Sequence, residues 1–362
     1  MDYKLKVLNF QSIISMIKSV IYISLLSMLL LACKKENISE NKKAQWIKNA
    51  FESLESNSFP RVKAISWWHE NFDNSELKMN SSNESLDAYK KGVSSPIFIT
   101  TSNFSSGKLM EPEFGIYHSA FPDFGGTEDV VSIEKISDFE TLAAKNIVWA
   151  YFSNNWSNNI QFPLTEVNTI NTTGKIPFIR IMPRTNFDEG GPDPNYTMQK
   201  IIDGNFDAEL SQWAIDAKNT EIPLLVEFGT EVNGNWFPWN GQYNGAGETE
   251  NYGDTALFDG AERFRDAYRH IINICHANNA TNITWFFHVD AYNEPDTDWN
   301  KIENYYPGDE YIDWLGVSIY GPQEINEEYQ EFSEIMNDIY PRLCSLSDKP
   351  IAVLEFAITE IK

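Results

Sequence analysis

Apolar positions follow two alternating patterns along the chain from residue 113 onward. Short, nearly continuous apolar runs predict strands buried on both faces, and longer segments with apolar residues every three or four positions predict amphipathic helices. The predicted strands are 114–119, 146–152, Ile176–Met182, 223–229, 283–289, 313–319 and 350–354. Seven strands separated by helices predict an α/β fold, a barrel of the (β/α)8 type that still lacks one strand.

The eighth strand is predicted near the start of the chain. Residues 61–68 are strand-like, and residues 42–54 before them form an amphipathic helix. The chain ends seven residues after Glu355, which favours this helix and strand as the missing unit. We therefore predict one domain over residues 41–362, a circularly permuted (β/α)8 TIM barrel.

In this prediction the last helix and strand lie in residues 41–70 and strands one to seven in residues 113–362. Residues 71–112, rich in Ser, Asn and Lys, are predicted to form a surface connection. The alternative is a truncated chain with an unrelated N-terminal extension.

The N-terminal region is typical of an export signal. Residues 19–32 are apolar, but the run is shorter than the roughly 20 residues of a membrane-spanning helix and fits a signal peptide. Because residues 30–33 resemble a bacterial lipobox, residues 1–33 are predicted to be a lipoprotein signal peptide with lipidation at Cys33, and residues 34–40 a tether. A plain anchor helix and a start at Met16 are alternatives. The protein is expected to be exported and lipid-anchored to a bacterial membrane, at the cell surface or in the periplasm.

The charge and composition of the chain exclude some classes of binding partner. The net charge of -24 argues against nucleic acid, which needs clustered Lys and Arg, and against polyanionic sugars. A neutral polysaccharide remains compatible. Cys275 and Cys344 are too few for a disulfide framework. Metal-ligand spacing, a phosphate-binding loop and a Gly-x-Ser-x-Gly elbow were not found, so no cofactor or metal is expected, and a monomer is predicted.

Two glutamates carry the candidate chemistry. Glu231 and Glu355 each follow a hydrophobic run, and a carboxylate at the end of a buried strand is costly unless it has a function. Retaining glycosidases use two carboxyl groups at the mouth of such barrels. Glu227 shares the inward face of its strand and lies deeper, where it needs a partner, for which Arg180 is the candidate. Residues 290–296 are interpreted as a solvated acidic loop.

The residues around Glu231 resemble glycoside hydrolase family 26, the β-mannanase family of retaining (β/α)8 enzymes. Its acid/base motif, His-Glu-Met-Asn-Gly-x-Trp-Phe-x-Trp, is matched by residues 230–239 except that Thr230 replaces the His and Val232 the Met. Residues 305–320 resemble the segment leading into strand six. Trp67-Trp68 resembles the Trp-Phe pair of the family's last strand, which supports the permutation.

The resemblance implies Glu231 as acid/base and Glu355 as nucleophile, with the pKa of Glu231 above that of Glu355. The predicted substrate-binding residues are Asn233, Trp236, Trp239, Tyr320, Trp67, His118 and His288, and a structural role for each histidine is an open alternative. Trp67 is expected to face the gap between the two glutamates.

The implied function is a retaining endo-glycoside hydrolase on a neutral β-linked polysaccharide, with β-1,4-mannan as first choice. The alternatives are a β-glucanase, a β-xylanase, a transglycosylase, and a non-catalytic surface glycan-binding lipoprotein.

Overall fold

Eight parallel strands close into a barrel at the centre of the protein. The structure, a computed structural model, describes residues 41–72, 74–157, 159–187, 190–324 and 326–360. The barrel strands are β1 (Val62–Trp68), β5 (Ile116–Phe121), β6 (Trp149–Asn155), β7 (Ile176–Met182), β8 (Leu224–Phe228), β9 (Ile283–Asp290), β10 (Trp314–Tyr320) and β11 (Ile351–Ala357). Nearly every residue of these strands is buried, as expected for a sheet covered on both faces. The predicted (β/α)8 barrel is confirmed.

Helices connect the strands and cover the outside of the barrel. They are α1 (Lys42–Glu55), α2 (Asn83–Val93), α3 (Ile133–Ala143), α4 (Leu164–Thr172), α5 (Met198–Ile202), α6 (Asp207–Asn219), α7 (Asp259–Ala277), α8 (Ile302–Tyr305) and α9 (Phe332–Leu346). Short 3-10 helices span Gly241–Tyr243 and Asp298–Asn300. Side-chain caps begin several helices; the Asn41 side chain, for example, accepts the Ala44 N–H at 2.8 Å and satisfies a donor that the first turn leaves free.

Strand β1 closes the barrel between the last strand and β5. Ile65 pairs with Val353 of β11 on one side and with His118 of β5 on the other, both in parallel register. Without β1 the barrel would have two unpaired edges. The predicted position of the N-terminal strand is therefore confirmed, whereas a permutation relative to the family stays a prediction.

Residues 71–112 are more than the predicted surface connection. They contain α2, the short strands β2 (Phe98–Ile99), β3 (Phe104–Ser105) and β4 (Lys108–Leu109), and a buried aromatic group. Tyr89 and Phe98 pack edge-on against Phe51 of α1, with ring centroids 5.4 and 5.1 Å apart. The polar composition of this segment did not predict its packing, because a few apolar residues are enough to fix a segment against an existing core.

The strand boundaries also correct one position in the candidate site. Glu355 lies inside β11 rather than after it. The register of β10 with β11 shifts here, since Val317 pairs with Val353 but Ser318 pairs with Glu355. Leu354 is therefore an extra residue, a β-bulge of the kind that re-aims side chains next to active sites.

In the part of the chain that the structure describes, no helix is long and apolar enough to cross a membrane. The predicted signal peptide, the lipidation site Cys33 and the tether lie outside the described residues.

Candidate active site

A cavity of about 840 Å³ opens where the carboxyl ends of the barrel strands meet. Its walls include Trp68, Glu70, Phe72, Glu128, Arg180, Arg184, Phe187, Glu231, Trp236, Phe237, Asp290, Tyr292, Glu294, Tyr320, Glu327 and Glu355. This volume falls in the range of small-molecule sites in enzymes. The predicted pair, Glu231 and Glu355, faces the same cavity.

Glu355 is held by donors from three other strands. Tyr320 donates its hydroxyl to one carboxylate oxygen at 2.8 Å, and Arg180 lies 3.2 Å from the other. The Tyr151 hydroxyl is 3.5 Å from that second oxygen. Because each donor belongs to a barrel strand, the carboxylate has little freedom to turn.

The burial of Glu355 competes with these donors. Burial raises the pKa of Glu355 to about 7, although the Arg180 guanidinium lowers it and the Glu231 charge raises it further. A nucleophile must be ionised to attack, so the free site reaches that state only as the pH approaches neutrality. The surroundings of Glu355 therefore do not favour the low pKa expected of a nucleophile, and the predicted order of the two acidities stays a prediction.

Glu231 lies on a tight turn after β8. Gly229 has φ 62 and Glu231 has φ 50, and a side chain at position 229 would place its Cβ 2.7 Å from Phe264. A left-handed conformation at a residue other than glycine is uncommon and concentrates at functional sites. The Trp236 indole N–H donates to the Glu231 carboxylate at 2.8 Å. This turn and one indole aim Glu231 into the cavity.

The two carboxylates lie close together. One oxygen of Glu231, one oxygen of Glu355 and a ring nitrogen of His288 are all within 4.8 Å of one another. This distance agrees with the roughly 5–5.5 Å separation of carboxyl groups in retaining glycosidases. Both nitrogens of His288 already contact protein oxygens, and a histidine so occupied is a poor metal ligand. The group therefore fits a carboxylate pair better than a metal centre.

A polar layer lies beneath the pair. His288 is bonded to Glu227 at 2.9 Å and to Thr230 at 2.7 Å through Nδ1, and to Ser318 at 2.9 Å through Nε2. Burial alone lowers the pKa of His288, but Glu227 raises it above its usual value. Burial in turn raises the pKa of Glu227, while His288 and Arg180 lower it overall. Both shifts favour the charged form of the group, an imidazolium for His288 and a carboxylate for Glu227.

Arg180 links this layer to the cavity. Its guanidinium lies 3.4 Å from Glu227, which confirms the predicted pair. It also lies 2.7 Å from Glu128 and 3.2 Å from Glu355. One nearly inaccessible cation therefore contacts three carboxylates, of which only Glu227 was predicted.

Several predicted binding residues lie behind the cavity wall. Trp67 is fully buried and packs against Tyr89 and Phe356, with ring centroids 5.2 and 5.0 Å apart, so the prediction that it faces the two glutamates is wrong. Side chains alternate along a strand, and Trp68 lines the cavity instead. His118 also faces outward, where its Nε2 is bonded to the Tyr89 hydroxyl at 2.8 Å.

The polar and aromatic residues of the turn after β8 have a supporting position. The Asn233 amide donates to the backbone oxygens of Asp290 and Tyr292 at 2.9 and 2.8 Å, which ties the turn to the loop after β9. The Trp239 indole donates to the Thr230 carbonyl at 2.7 Å. Neither residue lines the cavity, and neither does His288. Of the predicted binding residues, Trp236 and Tyr320 do.

The sequence reasoning missed Trp68, Tyr151 and Asp290. Asp290 ends β9 and lines the cavity, so its interpretation as part of a solvated loop was wrong. Burial and the Glu231 charge hold the pKa of Asp290 well above its usual value. Its position at the carboxyl end of a buried strand was the available signal.

Comparisons with known proteins identify a related family for part of the chain. Residues 193–348 match the sequence model of glycosyl hydrolase family 26. This segment is therefore similar to family 26 glycosyl hydrolases. The matched segment contains Glu231 with its turn, and it ends before Glu355.

The chain is similar to several curated enzymes. It is 26% identical over 258 residues to endoglucanase H of Acetivibrio thermocellus, a match that covers 70% of this chain and 26% of that protein. It is also 26% identical over 145 residues to mannan endo-1,4-beta-mannosidase A and B of Caldalkalibacillus mannanilyticus, covering 40% of this chain and 24% of that protein. The matches thus span about a quarter of the length of these relatives.

Solved structures of mannanases are also similar to this chain. A Bacillus subtilis mannanase is 16% identical, with a TM-score of 0.41, over 62% of this chain and 75% of its own. A β-mannanase from a symbiotic protist of the termite Reticulitermes speratus is 14% identical, with a TM-score of 0.44, over 62% and 68%.

Proposed function

We propose that this protein is a retaining endo-glycoside hydrolase that cleaves a neutral β-linked polysaccharide. The observation that carries the proposal is the pair of buried carboxylates, Glu231 and Glu355, whose nearest oxygens lie within 4.8 Å of each other at the barrel mouth. In the proposed reaction Glu355 attacks the anomeric carbon and Glu231 protonates the departing oxygen. Glu231 then accepts a proton from the water that hydrolyses the glycosyl-enzyme.

The cavity suits a neutral chain of sugars. Three aromatic side chains on its walls are unusually exposed, Phe72 and Phe187 at 40% each and Tyr292 at 46%. Exposed rings of this kind provide flat apolar faces for pyranose rings. Two arginines among seven carboxylates give the walls an acidic balance that disfavours sugars carrying carboxylates or sulfates.

β-1,4-Mannan is the proposed first-choice substrate. Support comes from the family and from relatives named as a mannosidase and mannanases. β-1,4-Glucan and β-1,3-xylan are the nearest alternatives, since other relatives are named endoglucanase H and beta-1,3-xylanase.

A panel of polysaccharides tests the proposal. The purified protein should release reducing ends from one of β-mannan, β-1,4-glucan and β-1,3-xylan, and viscosity should fall early because internal bonds are cut. Proton NMR of the first product should show the β-anomer, as retention requires. Release of the α-anomer would reject retention and indicate an inverting hydrolase instead. No reducing ends from any polymer would reject a hydrolase and leave the non-catalytic binding protein.

A further inference from the structure

The segment after β1 forms part of the cavity wall. Trp68, Glu70, Asn71 and Phe72 line the cavity, whereas Trp67 is fully buried on the outer side of the strand. His69 also turns away, because its backbone N–H donates to the Phe121 carbonyl at 3.0 Å and its ring Nδ1 accepts the Met79 N–H at 3.3 Å. The outward residues thereby anchor the segment and fix where the inward ones point.

Glu70 is buried without a partner. Its side chain is 8% exposed, yet it forms no hydrogen bond or ion pair with any residue in the described part of the chain. The nearby cations are already engaged: Lys78 lies 2.6 Å from Asp123 and Arg180 lies 2.7 Å from Glu128. A carboxyl group that lines a cavity and has no protein partner has hydrogen bonds left to make, so a ligand in the cavity can complete them.

The protonation of Glu70 agrees with this reading. Burial raises its pKa to about 8, and the charges of Glu128 and Asp123 act in the same direction. Near neutral pH the group is therefore a neutral acid that can both donate and accept a hydrogen bond. Two adjacent hydroxyls of a sugar offer one acceptor and one donor, which is the matching arrangement.

Phe72 provides a second, independent feature of the same wall. Its ring is 40% exposed, and like Glu70 it lines the cavity. Trp68 connects the wall to the carboxylate pair, because the Arg180 guanidinium that touches Glu355 also lies 5.1 Å from the Trp68 ring. The wall thus extends outward from the Glu355 side of the cavity.

We propose that Glu70 and Phe72 form a distal sugar-binding subsite for a neutral pyranose, with the ring face on Phe72 and two adjacent hydroxyls on Glu70. This inference rests on the proposed function, since the sugar is the next unit of a chain whose linkage lies between Glu231 and Glu355. The two residues determine the affinity for longer chains and take no part in bond cleavage.

Hexasaccharide binding to an inactive variant tests the subsite independently of the proposed catalytic function. The probes are mannohexaose, cellohexaose and β-1,3-xylohexaose, titrated by calorimetry into Glu355→Gln. Adding Glu70→Ala or Phe72→Ala should weaken the best of the three by about tenfold, as expected for one lost hydrogen bond or stacking contact. The matched controls are Glu111→Ala and Phe114→Ala, exposed residues outside the cavity, and they should leave binding unchanged.

Kinetics of the otherwise native chain provide the second measurement. On the hexasaccharide that is hydrolysed, Glu70→Ala and Phe72→Ala should raise KM and leave kcat unchanged, because a distal contact binds ground state and transition state alike. An activated aryl glycoside of one sugar should be cleaved as by the native protein. Unchanged hexasaccharide binding in both variants, or binding of none of the three probes, would overturn the subsite. Normal probe binding without turnover by the native chain would instead count against the proposed function alone.

Discussion

Glu355 and Glu231 face the same cavity, but one is held within a strand and the other on a turn. Glu355 receives a hydroxyl, a guanidinium and a more distant second hydroxyl from neighbouring strands. Glu231 has a left-handed backbone and one indole donor. Nucleophilic attack needs a fixed distance to the anomeric carbon, whereas an acid/base must serve a leaving oxygen first and a water next. The rigid and the adaptable settings suit these two roles.

The largest effects on activity are expected when Glu231 and Glu355 are replaced one at a time, and these variants test whether the two residues have different roles. Glu231→Ala should lower kcat on the polysaccharide by about 10²–10⁴-fold, the usual contribution of general acid–base catalysis. With an activated aryl glycoside, azide should restore turnover by attacking the glycosyl-enzyme. Glu355→Gln should lose at least as much activity and form no β-glycosyl azide, because no glycosyl-enzyme forms.

The product analysis decides between the two assignments. Glycosyl azide of β configuration is expected from Glu231→Ala only. Release of β-glycosyl azide by the Glu355 variant, or near-normal activity in it, would mean that the two roles are assigned wrongly.

Arg180 holds the Glu355 carboxylate in place. Replacing Arg180 should therefore have the next largest effect, a loss of folding stability. Arg180→Met should destabilise the fold by about 3–5 kcal/mol, since it leaves buried carboxylates without their cation. Urea denaturation measures this loss. Arg342→Met is the control, because Arg342 pairs with Glu303 at 3.0 Å on the surface and such pairs contribute about 0–1 kcal/mol. Equal losses in the two variants would show that Arg180 is not a structural cation.

A smaller effect should come from Glu128, which competes with Glu355 for Arg180. Activity requires ionised Glu355, whose pKa is raised to about 7, so kcat/KM of the native protein should fall as the pH drops through about 7. In Glu128→Gln the guanidinium acts more fully on Glu355, favours its charged form and lowers its pKa. The acid limb of the kcat/KM profile, the fall in activity at low pH, should therefore move to lower pH by less than about one unit.

The pH profile of Glu128→Gln should be compared with that of Glu303→Gln, which removes a carboxylate from a surface arginine. We expect no movement in that control. An acid limb that stays in place or moves upward in Glu128→Gln would contradict the competition for Arg180.

Local pattern was sufficient for the elements of the barrel. Apolar runs predicted the ends of all eight strands to within about three residues. A strand that is buried on both faces has few polar positions to interrupt its apolar run. The closing role of β1 followed from counting strands, since a barrel tolerates no open edge. Glu231 and Glu355 were found because a carboxylate at the end of such a strand is conspicuous.

Side-chain direction at the mouth was decided only by tertiary structure. The exchange of Trp67 for Trp68 and the bulge at Leu354 depend on the register between strands distant in sequence, and a one-residue difference reverses the face that a side chain occupies. Arg180 could be paired with Glu227 from alternation, but its contacts with Glu128 and Glu355 needed three separate elements to converge. That Glu70 has no partner among the described residues also depends on tertiary structure, because the nearby Lys78 and Arg180 are paired with Asp123 and Glu128.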